Sequence, residues 1–167
     1  MALDHSPSAK GSGPDPDRNS SEPIPNGSVL HRFVTFYSGE IQYAIPAAAV
    51  AEVTGHLTPI ALPDAPRCLS GIAPHRGDIL AIVDTGTSSG RVAEPAKRKT
   101  IILRPIGDKV ELPVAFNVDR IGEILQIGAS QIASSTAGDA LAEFEVSGID
   151  NKVLIVEPSR IVDLLLS

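Results

Sequence analysis

The groups in this 167-residue chain that could make or break a bond are four histidines, one cysteine and a scatter of serines and carboxylates. His5, His31, His56 and His75 match no metal-ligand spacing, such as two histidines four apart on a helix face. A single cysteine, Cys68, excludes an internal disulfide and a multi-cysteine zinc site. Cys68 and Ser70 precede Gly71 without the strained strand-to-helix elbow that exposes a nucleophile, and Cys68 reads as a small hydrophobe. Gly86-Thr87-Ser88-Ser89-Gly90 is rich in small residues, but no lysine follows it as in a phosphate loop. Asp78 and Asp84 flank one apolar run. Their spacing puts them on one face of a strand but too far apart to act together on one bond. An enzyme built from His75, Arg76 and Asp84 on one hairpin would lack an enclosing pocket, and no second polar cluster joins it. The chain therefore reads as a non-enzyme without metal or cofactor. Arg76 stands out for recognition instead. It sits at a turn tip beside Gly77, and its planar guanidinium can grip a carboxylate at two points.

The elements that must position these residues are mostly short strands. Phe33 to Tyr37 reads as a strand, Ser38-Gly39-Glu40 as a turn, and Ile41 to Ile45 as a partner strand with Ile41, Tyr43 and Ile45 on one face. Pro46 and the Ala-rich stretch to Val53 predict a short helix. Leu69 to Ala73, the turn Pro74-His75-Arg76-Gly77 and the run Asp78 to Asp84 form a second hairpin. The apolar Ile79 to Val83 reads as a strand buried on both faces, with a helix as the alternative that periodicity alone leaves open. Val50, Val53, Ile79, Ile82 and Val83 are expected in the core.

Thr85 to Pro95 reads as a loop. Thr100 to Leu103, a turn at Gly107-Asp108 and Val110 to Val118 make a third hairpin, with Pro113 marking an edge or a bulge. Asp119 to Ile127 is open between a helical turn and a strand. Gly128 to Asp139 reads as a loop, and Phe144 to Ile149 and Val153 to Val156 as the last strands. Pro158 opens a helix with Ile161, Leu164 and Leu165 on its apolar face. Many short strands with a few short helices indicate a mainly β fold, a sandwich or small barrels.

Composition narrows the class. Apolar residues are 43% of the chain and aromatics only 4%, so the core must rest on aliphatic side chains. A net charge of −6 argues against non-specific nucleic-acid binding, which needs cations to neutralise phosphates. No secretory signal and no membrane-spanning stretch is evident, so a cytoplasmic protein is expected, one that meets a membrane only through a partner. Residues 1–28 are half Pro, Gly and Ser with few large apolar groups, and are expected to form a disordered tail before a domain at 29–167.

Tyr43-Ala44-Ile45 and Val50-Ala51-Glu52-Val53 are followed by Pro63-Asp64-Ala65-Pro66, Gly71-Ile72-Ala73-Pro74-His75-Arg76-Gly77-Asp78 and then Ile79 to Asp84. In order and spacing this set of segments resembles the CheW family of chemotaxis coupling proteins. Downstream, Leu112 to Ile121 and Lys152 to Leu166 are similar to the family's later strands and closing helix. Two departures stand out: Pro74-His75 replaces Asn-Leu before the turn arginine, and Thr85-Gly86 replaces Leu-Arg after Asp84.

The resemblance implies two small five-stranded SH3-like β-barrel subdomains sharing a core, with no catalytic residue or cofactor. It implies an adaptor that couples chemoreceptor cytoplasmic tips to a CheA-type histidine kinase, or a stand-alone regulator that binds the kinase without receptors. The partner-binding residues it implies are Arg76 with its neighbours His75 and Gly77, Glu52 on the first helix, and Asp84 at the end of the apolar strand.

Overall fold

Strands β1 (Leu30–Ser38) and β2 (Ile41–Pro46) open the chain as the expected hairpin, with Phe36 opposite Tyr43. The computed structural model describes residues 29–85, 95–108, 112–139 and 141–166. After β2 the chain leaves for a second sheet: β3 (Val50–Gly55), β4 (Leu69–His75), β5 (Asp78–Val83), β6 (Lys99–Leu103) and β7 (Val114–Val118), in spatial order β3-β6-β7-β5-β4. It then returns to the first sheet with β8 (Arg120–Gly128), β9 (Ile132–Ser134), β10 (Phe144–Val146) and β11 (Val153–Ile155), giving the order β8-β1-β2-β11-β10-β9. The second sheet is thus an insertion between two halves of the first. Helix α1 (Pro158–Leu166) closes the chain.

Side-chain alternation divides the interior into three. Tyr43 and Ile45 of β2 face a central cluster, while Ala44 between them faces inward within its own sheet. The same split runs through β6, where Ile101 and Leu103 join the central cluster and Ile102 lines the second sheet's interior. It recurs in β7, with Val114, Phe116 and Val118 central and Ala115 inward. Phe36 stacks on Tyr43 with ring centroids 5.4 Å apart and meets Phe116 of the other sheet at the same distance. This aromatic trio ties the two subdomains together. Ile161 and Val162 of α1 are buried in the same shared core, with Leu164 and Leu165 packed against it, as the helix stripe predicts. The fold is mainly β, two sheet subdomains around one shared core.

Several local expectations change. The helix expected from Pro46 to Val53 is only a 3₁₀ turn over Ala47–Ala49, because Val50–Gly55 pairs with β6, and strand pairing overrides the alanines' helix propensity. Ile41 does not share the burial of Tyr43 and Ile45. It is exposed at the hairpin end, whereas Ala44 on the opposite face is buried because β2 lies between β1 and β11.

Pro74 and His75 belong to β4, paired with Ile79 and Asp78, so the turn is two residues and not four. Ile79 (48% exposed) and Val53 (39%) are surface residues; Ile82 and Val83 are core as expected. β7 starts only at Val114 and is central, between β6 and β5. Pro113 stands just before it and its carbonyl accepts the Ala81 N–H. The stretch open between helical turn and strand at 119–127 is the strand Arg120–Gly128, and the loop expected at 128–139 contains β9. The expected tail at 1–28, the Gly86–Gly90 stretch and Val110 lie outside the described residues.

Candidate functional site

The residues with recognition chemistry gather at the β4–β5 turn. Arg76 has φ 50° and Gly77 φ 83°, the positive values that a two-residue hairpin of the type I′ kind needs at both central positions. Glycine meets that requirement freely. Arginine pays a backbone penalty of roughly 1–2 kcal/mol, so its place at the first central position calls for a compensating contact. Glu52 of β3 supplies one: its Oε1 lies 3.1 Å from the Arg76 guanidinium.

The same carboxylate holds His75, with Oε2 3.4 Å from Nε2. Register explains the meeting. Glu52 is paired with Ile102, and His75 is two residues from Ala73, so both point toward the second sheet's interior, which Ile102 and Ala73 line. β3 and β4 are the two edges of that sheet. The Glu52–His75–Arg76 cluster therefore bridges the edges where no backbone ladder joins them. Burial is graded across it: the His75 side chain is 16% exposed, Glu52 30% and Arg76 74%. One part of the cluster closes the barrel mouth, and the guanidinium stands in solvent with donors to spare beyond its contact with Glu52.

Asp84 is elsewhere. Its N–H donates to the Cys68 carbonyl at the far end of the β4–β5 hairpin, a full strand length from Arg76. There it lines a cavity of about 240 Å³ with Ser38, His56, Arg98, Asn117 and Asp119. Thus the structure unites four of the five expected residues, Glu52, His75, Arg76 and Gly77, and separates the fifth.

The sequence offers His56 only as a histidine outside any metal-ligand spacing, and it does not single out Arg98. Burial, and then the charge of Arg98, hold the His56 imidazole below its ordinary pKa, and His56 Nδ1 is buried without a hydrogen-bond partner among the described atoms. No sequence signal links two residues so far apart. Near this cavity the chain is pinned by side chains. Thr100 Oγ1 accepts the Leu57 N–H and donates to Asn117 Oδ1, and Asn117 Nδ2 donates to the Leu57 carbonyl. Leu57 is thereby held against the second sheet's interior. Among the described residues no group of three or more His, Cys, Asp or Glu could hold a metal ion.

Comparison with known proteins places this arrangement in context. The family model described as "CheW-like domain" matches residues 32–165. The chain is similar to "Chemotaxis protein CheW" of Rhizobium meliloti (strain 1021), 28% identical over 130 residues, covering 77% of this chain and 79% of that protein. It is also similar to "Probable chemotaxis protein CheW" of Rhizobium etli, 28% identical over 95 residues, 56% of this chain and 59% of that one. Among solved structures, the scaffolding protein TtCheW from Thermoanaerobacter tengcongensis superposes with a TM-score of 0.65 at 22% identity, over 77% of this chain and 90% of that chain. At that identity the likeness speaks for the fold.

Proposed function

The chain belongs to the CheW-like domain family, and from that premise we propose that it is a non-catalytic adaptor coupling chemoreceptor cytoplasmic tips to a CheA-type histidine kinase. The observation that carries this reading is the exposed Arg76, held by Glu52 at the turn that matches the family's Arg-Gly turn. A guanidinium already fixed on one side loses less freedom when a partner carboxylate docks on the other. Arg76, with Gly77 setting the turn and His75 and Glu52 supporting it, is the proposed contact.

Asp84 is reassigned in this reading. It belongs to the inter-sheet cavity and not to the turn contact. The exposed Val53 and Ile79 are hydrophobic positions on the same sheet that a partner could cover. The adaptor unit is residues 29–167. Among the described residues no helix is long and apolar enough to cross a membrane, so receptors would bring the protein to it.

A second reading, a regulator that binds the kinase without receptors, is favoured by the altered Thr85-Gly86 after Asp84. A pull-down separates the two. The full chain is mixed with a chemotaxis-type kinase from the same cell, with and without receptor cytoplasmic fragments. Binding to both, with kinase activity changed when all three are present, is the expected result for the adaptor. Kinase binding alone supports the regulator, and binding to neither removes both readings. Arg76→Glu should weaken the captured complex while the free protein stays folded, its thermal transition only modestly lowered by the lost pair to Glu52 and the like charge set beside it.

A further inference from the structure

An open groove of about 450 Å³ lies on the six-stranded sheet, away from the Arg76 turn. Its floor is a row of cross-strand neighbours running over four strands: Arg120 opposite Tyr37, Tyr37 opposite Gln42, and Gln42 opposite Val153. One wall is β8 and the other is the connection between β10 and β11, which contributes Ile149, Asp150 and Asn151.

The floor is held firmly. At Gly122 an added Cβ would run into Thr35 Oγ1, and that hydroxyl donates to the Glu123 carbonyl, so β8 lies tight on β1. The Arg120 guanidinium sits over the Tyr37 ring, its central carbon 3.4 Å from the ring centroid. A cation held over a ring in this way keeps its N–H donors available to a second partner. No ion pair to a described carboxylate occupies those donors.

We propose that this groove binds a small zwitterion, an α-amino acid with an aliphatic side chain. Its lining carries one cation, Arg120, and two carboxylates, Glu123 and Asp150. A simple anion would meet Arg120 but be repelled by the two acids, and a simple cation would meet the acids but be repelled by Arg120. A molecule with both charges a few atoms apart satisfies the set. The Arg120 edge takes the carboxylate in two-point fashion, and the acids take the ammonium. The amides of Gln42 and Asn151 supply further donors and acceptors. Leu125 and the exposed Ile149 offer apolar surface for the side chain. The groove is independent of the adaptor reading, and its test uses neither kinase nor receptor.

The test is an NMR titration of the full-length, ¹⁵N-labelled protein with L-leucine. Two analogues run beside it: 4-methylpentanoate, which lacks the ammonium, and 3-methylbutylamine, which lacks the carboxylate. Leucine should give saturable shifts at Tyr37, Asn151 and the Arg120 Nε–H. Each analogue should bind about tenfold more weakly or worse, the scale of one charge-assisted contact. Arg120→Ala should abolish the leucine shifts while the rest of the amide spectrum stays unchanged. Arg120→Lys, which keeps the charge but not the planar stack, should weaken binding. Absence of saturable shifts up to about 10 mM leucine, an unchanged response in Arg120→Ala, or an analogue binding as tightly as leucine would each overturn the proposal.

Discussion

Remove the Glu52 carboxylate and two neighbours lose their hold at once. In Glu52→Ala, His75 Nε2 is left without its 3.4 Å partner and Arg76 without its 3.1 Å partner. The Arg76 pair is the weaker of the two, since its side chain is 74% exposed; an exposed ion pair contributes about 0.2–1 kcal/mol. The His75 contact is more enclosed and should contribute about 1 kcal/mol as a partly buried hydrogen bond. Glu52→Ala should therefore cost roughly 1–2 kcal/mol in urea unfolding.

Double-mutant cycles separate the two terms. Coupling of Glu52 to His75, measured with His75→Ala, should exceed coupling to Arg76, measured with Arg76→Ala. Salt at about 1 M should erase most of the second and less of the first, because screening acts on the exposed pair. Couplings that vanish within about 0.3 kcal/mol, the ordinary scatter of additivity, would mean that the three side chains do not meet in solution. A larger and more salt-resistant coupling to Arg76 would refute the burial gradient on which the account of the turn depends. If Arg76 is the partner contact, Glu52→Ala should also weaken kinase or receptor capture although Glu52 itself is partly covered.

Thr100→Val keeps the shape of a buried side chain but strands the Leu57 N–H and Asn117 Oδ1. It should cost roughly 2–4 kcal/mol, and Thr100→Ser should cost less in the same melts. Gly71→Ala should destabilise more severely, because the new Cβ would overlap the Ile60 carbonyl and φ is +149°; loss of the cooperative thermal transition is the expected result.

His56 is held below its ordinary pKa by burial and Arg98, so below neutral pH the unfolded chain takes up its proton before the folded one does. Stability should fall as pH drops through the unfolded-state value near 6.5, and His56→Gln should flatten that limb in urea titrations at pH 7 and pH 5. Burial first, and then the bond to Asp139, raise the Tyr43 phenol above its ordinary range. Its contribution is complete below about pH 10 and is lost as pH rises through the folded value, so Tyr43→Phe should reduce the alkaline loss of stability.

Much of the fold could be read along the chain because hairpins are local. The pairs β1–β2 and β4–β5 join residues a few positions apart, and their Gly-containing turns and apolar runs are visible without knowing what lies across the sheet. The closing helix was legible for the same reason, from its apolar stripe. The misreadings fall where a distant strand decides. Ala47 to Val53 has a helical composition, but β6 lies alongside and draws Val50–Gly55 into a ladder. Pro113 suggests an edge until β5 and β6 are seen to flank β7. Val53 and Ile79 are as apolar as their buried neighbours, and only the way the two sheets pack determines that they face solvent.

The candidate site divides in the same way. Residue types and order along the chain were enough for a mainly β protein of the CheW kind and for an arginine at a turn tip. They also singled out Glu52, His75 and Asp84, one by one. Tertiary structure alone decided that Glu52 clasps both His75 and Arg76, because β3 and β4 become neighbours only when the five-stranded sheet curls its edges together. It also decided that Asp84 belongs with His56 and Arg98 instead, since a hairpin sets the turn at one end and the strand exit at the other. Sequence specifies which side chains are available and the local turns that present them. Which of them meet depends on the register and curvature of sheets that bring together strands far apart along the chain.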